Sequence, residues 1–162
     1  NNPNVKILIH GVSMGAATVM MMTGNDALPE NVKLTVSDCG YSTAVGEFTE
    51  KLDDLGLPSG LIIKGVNAVN KLHLGFDFYK LRPVDSVRNA KIPMLFIHGT
   101  GDTFIPHSMC QEVYEACSSE HKDILYIEGA DHAQAFPTDR EAYSKKLDEM
   151  IDKYVLEVTT EA

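Results

Sequence analysis

Basic residues are scarce in this chain. It has 14 Lys and Arg against 23 Asp and Glu, and a formal net charge of −9. Because a nucleic-acid partner requires a concentrated basic surface for its phosphates, the sequence argues against nucleic-acid binding. The 162 residues, 44% of them hydrophobic, are enough for one ordinary domain with a hydrophobic core.

Cysteine is also scarce, and Cys39, Cys110 and Cys117 form no CxxC pair. An odd number of widely spaced cysteines favours reduced, partly buried thiols in a reducing compartment over a disulfide framework. The six histidines show no metal-ligand spacing, and the HExxH motif is absent. We therefore expect a cytoplasmic protein that requires neither a metal nor an organic cofactor.

No apolar run is long enough to cross a membrane. Met14–Met22 is apolar but short, and Lys64 interrupts the run Leu61–Val69. The start of the chain has no basic segment followed by an apolar one, as a secretory signal would have, and residue 1 is Asn rather than Met. We therefore expect a processed or truncated chain. Whether a targeting signal or a membrane anchor precedes it stays open.

Short apolar segments alternate with amphipathic ones along most of the sequence. The pattern predicts four strands, at 5–9, 32–37, 94–97 and 124–127. It predicts three helices, at about 13–23, from Pro106, and from the capping box Thr138-Asp139-Arg140-Glu141. This alternation favours an α/β fold, with a mostly parallel sheet of about four strands flanked by helices.

The segment 42–81 interrupts the alternation, because it holds two amphipathic patterns and no strand. The two apolar stripes are Val45, Phe48, Leu52 and Leu55, and then Ile62, Val66, Val69 and Leu72. This interruption divides the chain into a core made of 1–41 and 82–162 and a helical pair, 42–81, inserted between them. The pair packs on the core or covers an active site as a cap; a membrane-surface helix is disfavoured because basic residues are few.

A serine lies between two glycines where the first strand meets the first helix. The segment is Gly11-Val12-Ser13-Met14-Gly15, a GxSxG motif. Small residues two before and two after permit the sharp turn that presents a nucleophilic hydroxyl at the carboxyl edge of a sheet. The backbone N–H of Met14 is then the natural donor to an oxyanion. The motif alone is a modest signal, since a glycine-lined turn with an incidental serine also fits it.

An acid and a histidine follow the serine in the order that this architecture requires. Asp102 lies in the loop after strand 94–97, and His132 lies in the loop after strand 124–127. A serine hydroxyl needs a base to take its proton and a group to orient that base. The order and the placement therefore predict a catalytic triad of Ser13, Asp102 and His132.

Other polar residues near these loops have simpler interpretations. Asp131 directly precedes the histidine, which makes productive geometry awkward, so a loop-structuring role is favoured. Asp38 follows the second strand and is expected to cap a turn. His10 and His98 end strands and are expected to pack beneath the loops.

Three segments resemble the nucleophile elbow, acid loop and histidine loop of the α/β-hydrolase family of serine hydrolases: HGVSMG, MLFIHGTGDTFIP and IEGADHA. The resemblance covers the whole chain and is closest to bacterial lipase- or esterase-like and peptidase-like members with a helical cap. SDCGYS and RPVDSVRNAKIP, on either side of the helical pair, fit the same pattern. The resemblance implies Ser13 as nucleophile, His132 as general base and acid, and Asp102 as its orienting group.

The family sheet usually has eight strands, and this chain begins at the fifth. The resemblance thus implies the C-terminal half of such a hydrolase, without the strand-3 loop that gives the second oxyanion donor. Absence of one oxyanion donor lowers kcat about 10²–10³-fold. One hypothesis is a serine hydrolase that cleaves a carboxylic ester or related acyl substrate through an acyl-enzyme, with thioesterase and peptidase activity open. The alternative is a non-catalytic fragment or pseudoenzyme module that acts by self-association or binding.

The strand at residues 5–9 is expected to be an edge of this half sheet, because the resemblance places its outer neighbour in the absent half. The strand is apolar, with Lys6 its charged residue. An apolar edge with unpaired backbone groups invites another strand. We therefore expect a homodimer or higher assembly with the region 5–22 in the interface.

Overall fold

Four parallel strands form one sheet in the computed structural model, which describes residues 5–157. The strands are β1 (Ile7–Val12), β2 (Val32–Asp38), β3 (Met94–Gly99) and β4 (Lys122–Ile127), in the spatial order β1-β2-β3-β4. Because every pairing is parallel, all four carboxyl ends meet at the same edge. The predicted α/β class, with a parallel sheet of about four strands, is confirmed.

The helices connect these strands and flank the sheet. They are α1 (Met14–Thr23), α2 (Ala44–Asp54), α3 (Ser59–His73), α4 (Pro83–Ser86), α5 (His107–Ala116), α6 (Ala135–Thr138) and α7 (Arg140–Ile151). The predicted capping box of the last helix is displaced by one residue, since the Asp139 side chain, rather than that of Thr138, accepts the Ala142 N–H. Thr138 cannot serve because it is the last residue of α6.

The core lies on both faces of β3, which is buried along its whole length. Met94 and Phe96 pack into a cluster with residues of α1, α4 and α5, whereas Leu95 and Ile97 pack into a second cluster with residues of α6 and α7. A strand buried on both faces is the expected condition of a parallel sheet. β3 is therefore the most firmly enclosed support for the loops at the carboxyl edge.

The segment 42–81 contains α2 and α3, which pack on one another and on a small cluster of Ala44, Ile63 and Phe78. The predicted apolar stripe of α3 is wrong, because Val66, Val69 and Leu72 are 42%, 56% and 80% exposed in the described part of the chain. The buried face instead carries Ile63 and Asn67. On this face the Asn67 side-chain oxygen accepts the backbone N–H of Phe78 at 2.7 Å, and Ile63 packs against Ala44 and Phe78.

β1 forms an edge of the sheet, and within residues 5–157 it pairs with β2 alone. It extends past the predicted end at residue 9, because Gly11 and Val12 continue the ladder opposite Ser37 and Asp38. The predicted division into a core and an inserted helical pair stays a prediction, as does the predicted homodimer or higher assembly. The predicted core includes residues 1–4 and 158–162, which lie outside the described range. No helix between residues 5 and 157 is long and apolar enough to cross a membrane.

Candidate active site

Ser13 lies at a sharp turn between β1 and α1. Its backbone has φ 56° and ψ −117°, a conformation that residues other than glycine rarely adopt. Its amide donates to the Asp38 carbonyl at 2.8 Å, and its own carbonyl accepts from Ala17 in the first turn of α1. Because its side chain makes no bond to the helix end, the hydroxyl is available to other partners at the carboxyl edge.

The two glycines of the motif are not equivalent. A Cβ at Gly11 would lie 2.1 Å from the carbonyl oxygen of Gly15, so glycine is required at position 11. A Cβ at Gly15 would meet no heavy atom within 4 Å among the described residues. Within the described residues the close approach therefore requires glycine at position 11, whereas position 15 has room for a small side chain.

The structure brings Ser13, His132 and Asp102 together. His132 Nε2 lies 2.9 Å from Ser13 Oγ, and His132 Nδ1 lies 2.9 Å from Asp102 Oδ2. The Asp102 side chain is fully buried, while that of His132 is 23% exposed. One imidazole can thus accept the hydroxyl proton at one nitrogen and donate to a carboxylate from the other.

Two glycines let the loop after β3 approach the loop that carries His132. A Cβ at Gly99 would lie 2.1 Å from the Ala130 carbonyl oxygen, and one at Gly101 would lie 2.8 Å from that of Gly129. The Gly101 amide donates to Ala130 at 3.0 Å, and the Gly129 amide donates to the Thr100 hydroxyl at 2.8 Å. These contacts set the separation of Asp102 and His132.

Asp102 accepts three hydrogen bonds and lies close to a fourth donor. Its Oδ1 accepts the backbone N–H groups of Phe104 and Ile105 at 2.9 and 2.8 Å. Its Oδ2 accepts from His132 and lies 3.2 Å from His98 Nε2. Burial opposes ionisation of the carboxyl, but these hydrogen bonds, that of His98 foremost, outweigh it and lower the pKa of Asp102 to about 2. Asp102 is therefore a carboxylate at neutral pH.

Two further aspartates of the sequence analysis lie near the site. Asp131 Oδ1 accepts the backbone N–H of His132 at 2.7 Å and faces that of Thr103 at 3.4 Å, a loop-structuring arrangement. The expectation that Asp38 caps a turn is wrong. Its buried carboxylate instead accepts the Tyr143 hydroxyl at 3.0 Å, because the side chain turns towards α7, and burial raises its pKa.

A cavity of about 480 Å³ opens beside Ser13, and most of its lining is apolar. Met14 follows the serine, Phe48 comes from α2 and Leu55 directly follows that helix, and Phe104 comes from the loop that carries Asp102. Lys51 Nζ of α2 donates to the Thr103 carbonyl at 3.0 Å. Residues from the helical segment therefore form one wall of the cavity, and Lys51 connects that wall to the acid loop.

Glu47 of α2 also lines this cavity, a position that nothing in the sequence pattern indicates. It is 3% exposed, and neither carboxyl oxygen has a hydrogen-bond partner among residues 5–157. Burial is the main cause that raises the pKa of Glu47 from 4.5 to about 7.

One group of potential metal ligands overlaps the site. Atoms of Cys39, Asp102 and His132 lie within 4.8 Å of one another. Burial raises the pKa of the Cys39 thiol to about 12, and a protonated thiol is a poor ligand. Asp102 and His132 also bond to each other at 2.9 Å. This donor set fits a hydrogen-bonded arrangement better than a metal centre, and the absence of a metal requirement stays a prediction.

Comparison with known proteins gives one family match and several relatives. Residues 5–145 match the model of the family described as serine hydrolase (FSH1). The uncharacterized protein YqkD of Bacillus subtilis (strain 168) is 28% identical over 146 residues, which are 89% of this chain and 47% of YqkD. This chain therefore spans about half the length of the curated relative that it matches.

Solved structures show the same fold at low sequence identity. The Pyrococcus furiosus esterase Pf2001 superposes with a TM-score of 0.66 and 19% identity, over 93% of this chain and 54% of that one. The Pyrococcus horikoshii acylaminoacyl peptidase gives a TM-score of 0.64 and 20% identity, over 91% of this chain and 24% of that one. Together with the match over residues 5–145, these similarities show that the chain belongs to the FSH1 serine hydrolase family and has the α/β-hydrolase fold.

Proposed function

We propose that this chain carries the catalytic residues of a serine hydrolase that cleaves carboxylic esters or related acyl substrates. Ser13 is the nucleophile, His132 is the general base and acid, and Asp102 orients His132. The observation that carries the proposal is the continuous chain of hydrogen bonds from Ser13 Oγ through both nitrogens of His132 to Asp102 Oδ2, each 2.9 Å long.

The chemistry proceeds in two halves. His132 Nε2 takes the hydroxyl proton while Ser13 Oγ attacks the acyl carbon, and Asp102 stabilises the imidazolium that forms. The imidazolium then gives its proton to the leaving alkoxide, and an acyl-enzyme remains. Water attacks the acyl carbon with His132 as base, and proton return to Ser13 Oγ releases the acid and restores the enzyme.

The N-terminus of α1 supports the developing oxyanion. Met14 is the first residue of α1, so its N–H has no acceptor within the helix and belongs to the positive end of the helix dipole. This N–H is the proposed oxyanion donor, next to the nucleophile in sequence. The family resemblance implies a second donor from a segment that precedes this chain.

The cavity beside Ser13 indicates an apolar acyl group. Its lining by Met14, Phe48, Leu55 and Phe104 favours a hydrocarbon chain over a charged one, since burial of each CH₂ group contributes about 0.8 kcal/mol. We propose that the segment 42–81 acts as a cap whose α2 residues set the length of chain that fits. An ester is the proposed substrate, with a thioester or a peptide as the alternatives to be compared.

The proposal is tested on the full-length protein with a series of p-nitrophenyl esters and a fluorophosphonate probe. Ser13→Ala should abolish labelling and lower turnover at least roughly 10⁴-fold. Ser108→Ala, which removes an exposed serine on α5, is the matched control and should leave both unchanged. Retention of most activity by the Ser13 variant would refute the mechanism. A folded protein that neither reacts with the fluorophosphonate probe nor turns over any acyl substrate would favour the alternative hypothesis, a non-catalytic module that acts by binding.

A further inference from the structure

His98 is a fully buried imidazole beneath the acid loop, in the next-to-last position of β3. Its Nε2 lies 2.9 Å from the Ile105 carbonyl oxygen and 3.2 Å from Asp102 Oδ2. A carbonyl and a carboxylate can only accept hydrogen bonds. The proton of His98 therefore lies on Nε2, where it is donated to the Ile105 carbonyl and lies beside Asp102 Oδ2.

The other nitrogen of His98 supports the same assignment. Nδ1 is buried and has no hydrogen-bond partner among residues 5–157. A proton on Nδ1 would thus be a buried donor without an acceptor, whereas a bare nitrogen is the less costly choice. The contacts therefore fix one tautomer of the ring, with its proton directed at the acid loop.

We infer that His98 is a positioning residue: its Nε2 donates to the Ile105 carbonyl and lies 3.2 Å from Asp102 Oδ2, the oxygen that accepts from His132, and it thereby holds the acid loop and its carboxylate in place above β3. The inference rests on the triad given as the proposed function. His98 contacts Asp102 and not the substrate, so it acts on the reaction through the catalytic acid. Nothing in the GxSxG motif or in the order of the triad implies this residue.

The origin of the other donors shows why His98 matters. Oδ1 of Asp102 accepts from Phe104 and Ile105, which belong to the same loop and move with it. His98, by contrast, belongs to a strand that is buried on both faces. Its hydrogen bond to the Ile105 carbonyl and its approach to Asp102 Oδ2 therefore connect the acid loop and the carboxylate to the sheet. Because small displacements of catalytic groups cost large factors in rate, loss of this bond should lower turnover.

Three substitutions in the full-length protein test the inference. In His98→Gln, the side-chain amide nitrogen can reach the place of Nε2 and donate there. In His98→Asn, the amide reaches only the place of Nδ1, and in His98→Leu no donor is present. We expect kcat for a p-nitrophenyl ester to fall about 10- to 100-fold in the Asn and Leu variants, with KM within about twofold of wild type. The Gln variant should stay within about threefold of wild type in kcat.

Two readouts separate positioning from folding. Far-UV circular dichroism identifies variants that are folded, and the rate of fluorophosphonate labelling at Ser13 should fall in parallel with kcat in those variants. A folded Leu variant with kcat within twofold of wild type would overturn the inference, as would a Gln variant as impaired as the Asn variant. If Ser13→Ala is inactive while the His98 variants are normal, only the role of His98 fails. If Ser13→Ala is active, both the proposed function and the role of His98 fail.

A measurement on the wild-type protein decides the question if the Asn and Leu variants do not fold. Nitrogen-15 NMR of labelled histidine distinguishes the two ring tautomers. We expect His98 to carry its proton on Nε2, with slow exchange because the ring is buried. A proton on Nδ1 would overturn the inference, since Nε2 would then face two oxygens without a hydrogen to donate.

Discussion

Replacement of Glu47 by Gln removes the charge of a buried carboxyl and should make the protein more stable above neutral pH. Glu47 is 3% exposed and has no hydrogen-bond partner among the described residues, so its charged form is disfavoured in the folded state. The pKa is raised from 4.5 to about 7. The folded protein therefore holds the proton of Glu47 where the unfolded chain has released it, and the free energy of unfolding falls as pH rises from about 4.5 through about 7.

The magnitude follows from the difference in pKa. At about 1.4 kcal/mol per pH unit, a difference of roughly 2.5 units gives a loss of about 3 kcal/mol in the limit. Between pH 5 and pH 8 the loss is about 2 to 3 kcal/mol. This is an upper bound, because an outward movement of α2 can hydrate the carboxylate at lower cost.

The assay is urea denaturation followed by far-UV circular dichroism, since the chain has no Trp. The charges of Lys51, Glu50, Asp102 and His132 also act on Glu47, and Glu47 in turn raises the pKa of Tyr41. The quantity to follow is therefore the stability of Glu47→Gln minus that of wild type, which should grow between pH 5 and pH 8. Asp53→Asn, at an exposed site on the same helix, should show no such growth. Parallel curves for wild type and Glu47→Gln would refute the reasoning.

The remaining predictions concern the elbow, the acid and the edge strand. Gly11→Ala should prevent folding or lower the free energy of unfolding by several kcal/mol, since its Cβ meets the Gly15 carbonyl at 2.1 Å. Gly15→Ala should change the free energy of unfolding by less than about 1 kcal/mol. Urea denaturation that shows similar losses of stability in the two variants would contradict this. Asp102→Asn should lower kcat for p-nitrophenyl esters roughly 10⁴-fold, because the wrong imidazole tautomer is favoured, and near-normal turnover would argue against its role. Light scattering at micromolar concentration should show a dimer or higher assembly of this chain, because in the described range the edge strand β1 pairs with β2 alone. A monodisperse monomer would contradict this prediction.

Local patterns were sufficient for the fold class and for the order of the strands and longer helices, but not for the short helices α4 and α6. Strands β2, β3 and β4 are short apolar runs between turn residues, and their alternation with helices leaves a covered parallel sheet as the consistent arrangement. The boundaries were less certain. β1 continues to Val12 because its backbone pairs with β2, and no pattern within 5–12 encodes that pairing. The cap of α7 shifted to Asp139 because α6 occupies the preceding residues.

The identity of the candidate site followed from chemistry and chain order. A serine in a glycine-lined turn, then an aspartate and a histidine after later strands, is informative because parallel strands bring their carboxyl ends to one edge. The positions of Ser13, Asp102 and His132 in sequence therefore made their proximity an expectation before any distance was known. The need for glycine at position 11 also follows from the sharp turn, although the freedom at Gly15 does not.

The sequence by itself determined the class of fold, the order of its strands and longer helices, and which three residues to place at one edge, because these depend on short-range patterns and on the parallel topology. Tertiary structure alone decided which side of α3 is buried, since Ile63 packs against Ala44 and Phe78 and the Phe78 N–H donates to Asn67, contacts that no pattern within α3 encodes. It also decided the surroundings of Glu47 and His98, which depend on contacts between elements far apart in the chain. A buried carboxyl without a partner and a buried imidazole directed at the acid loop are properties of packing, and packing is not a local property of sequence.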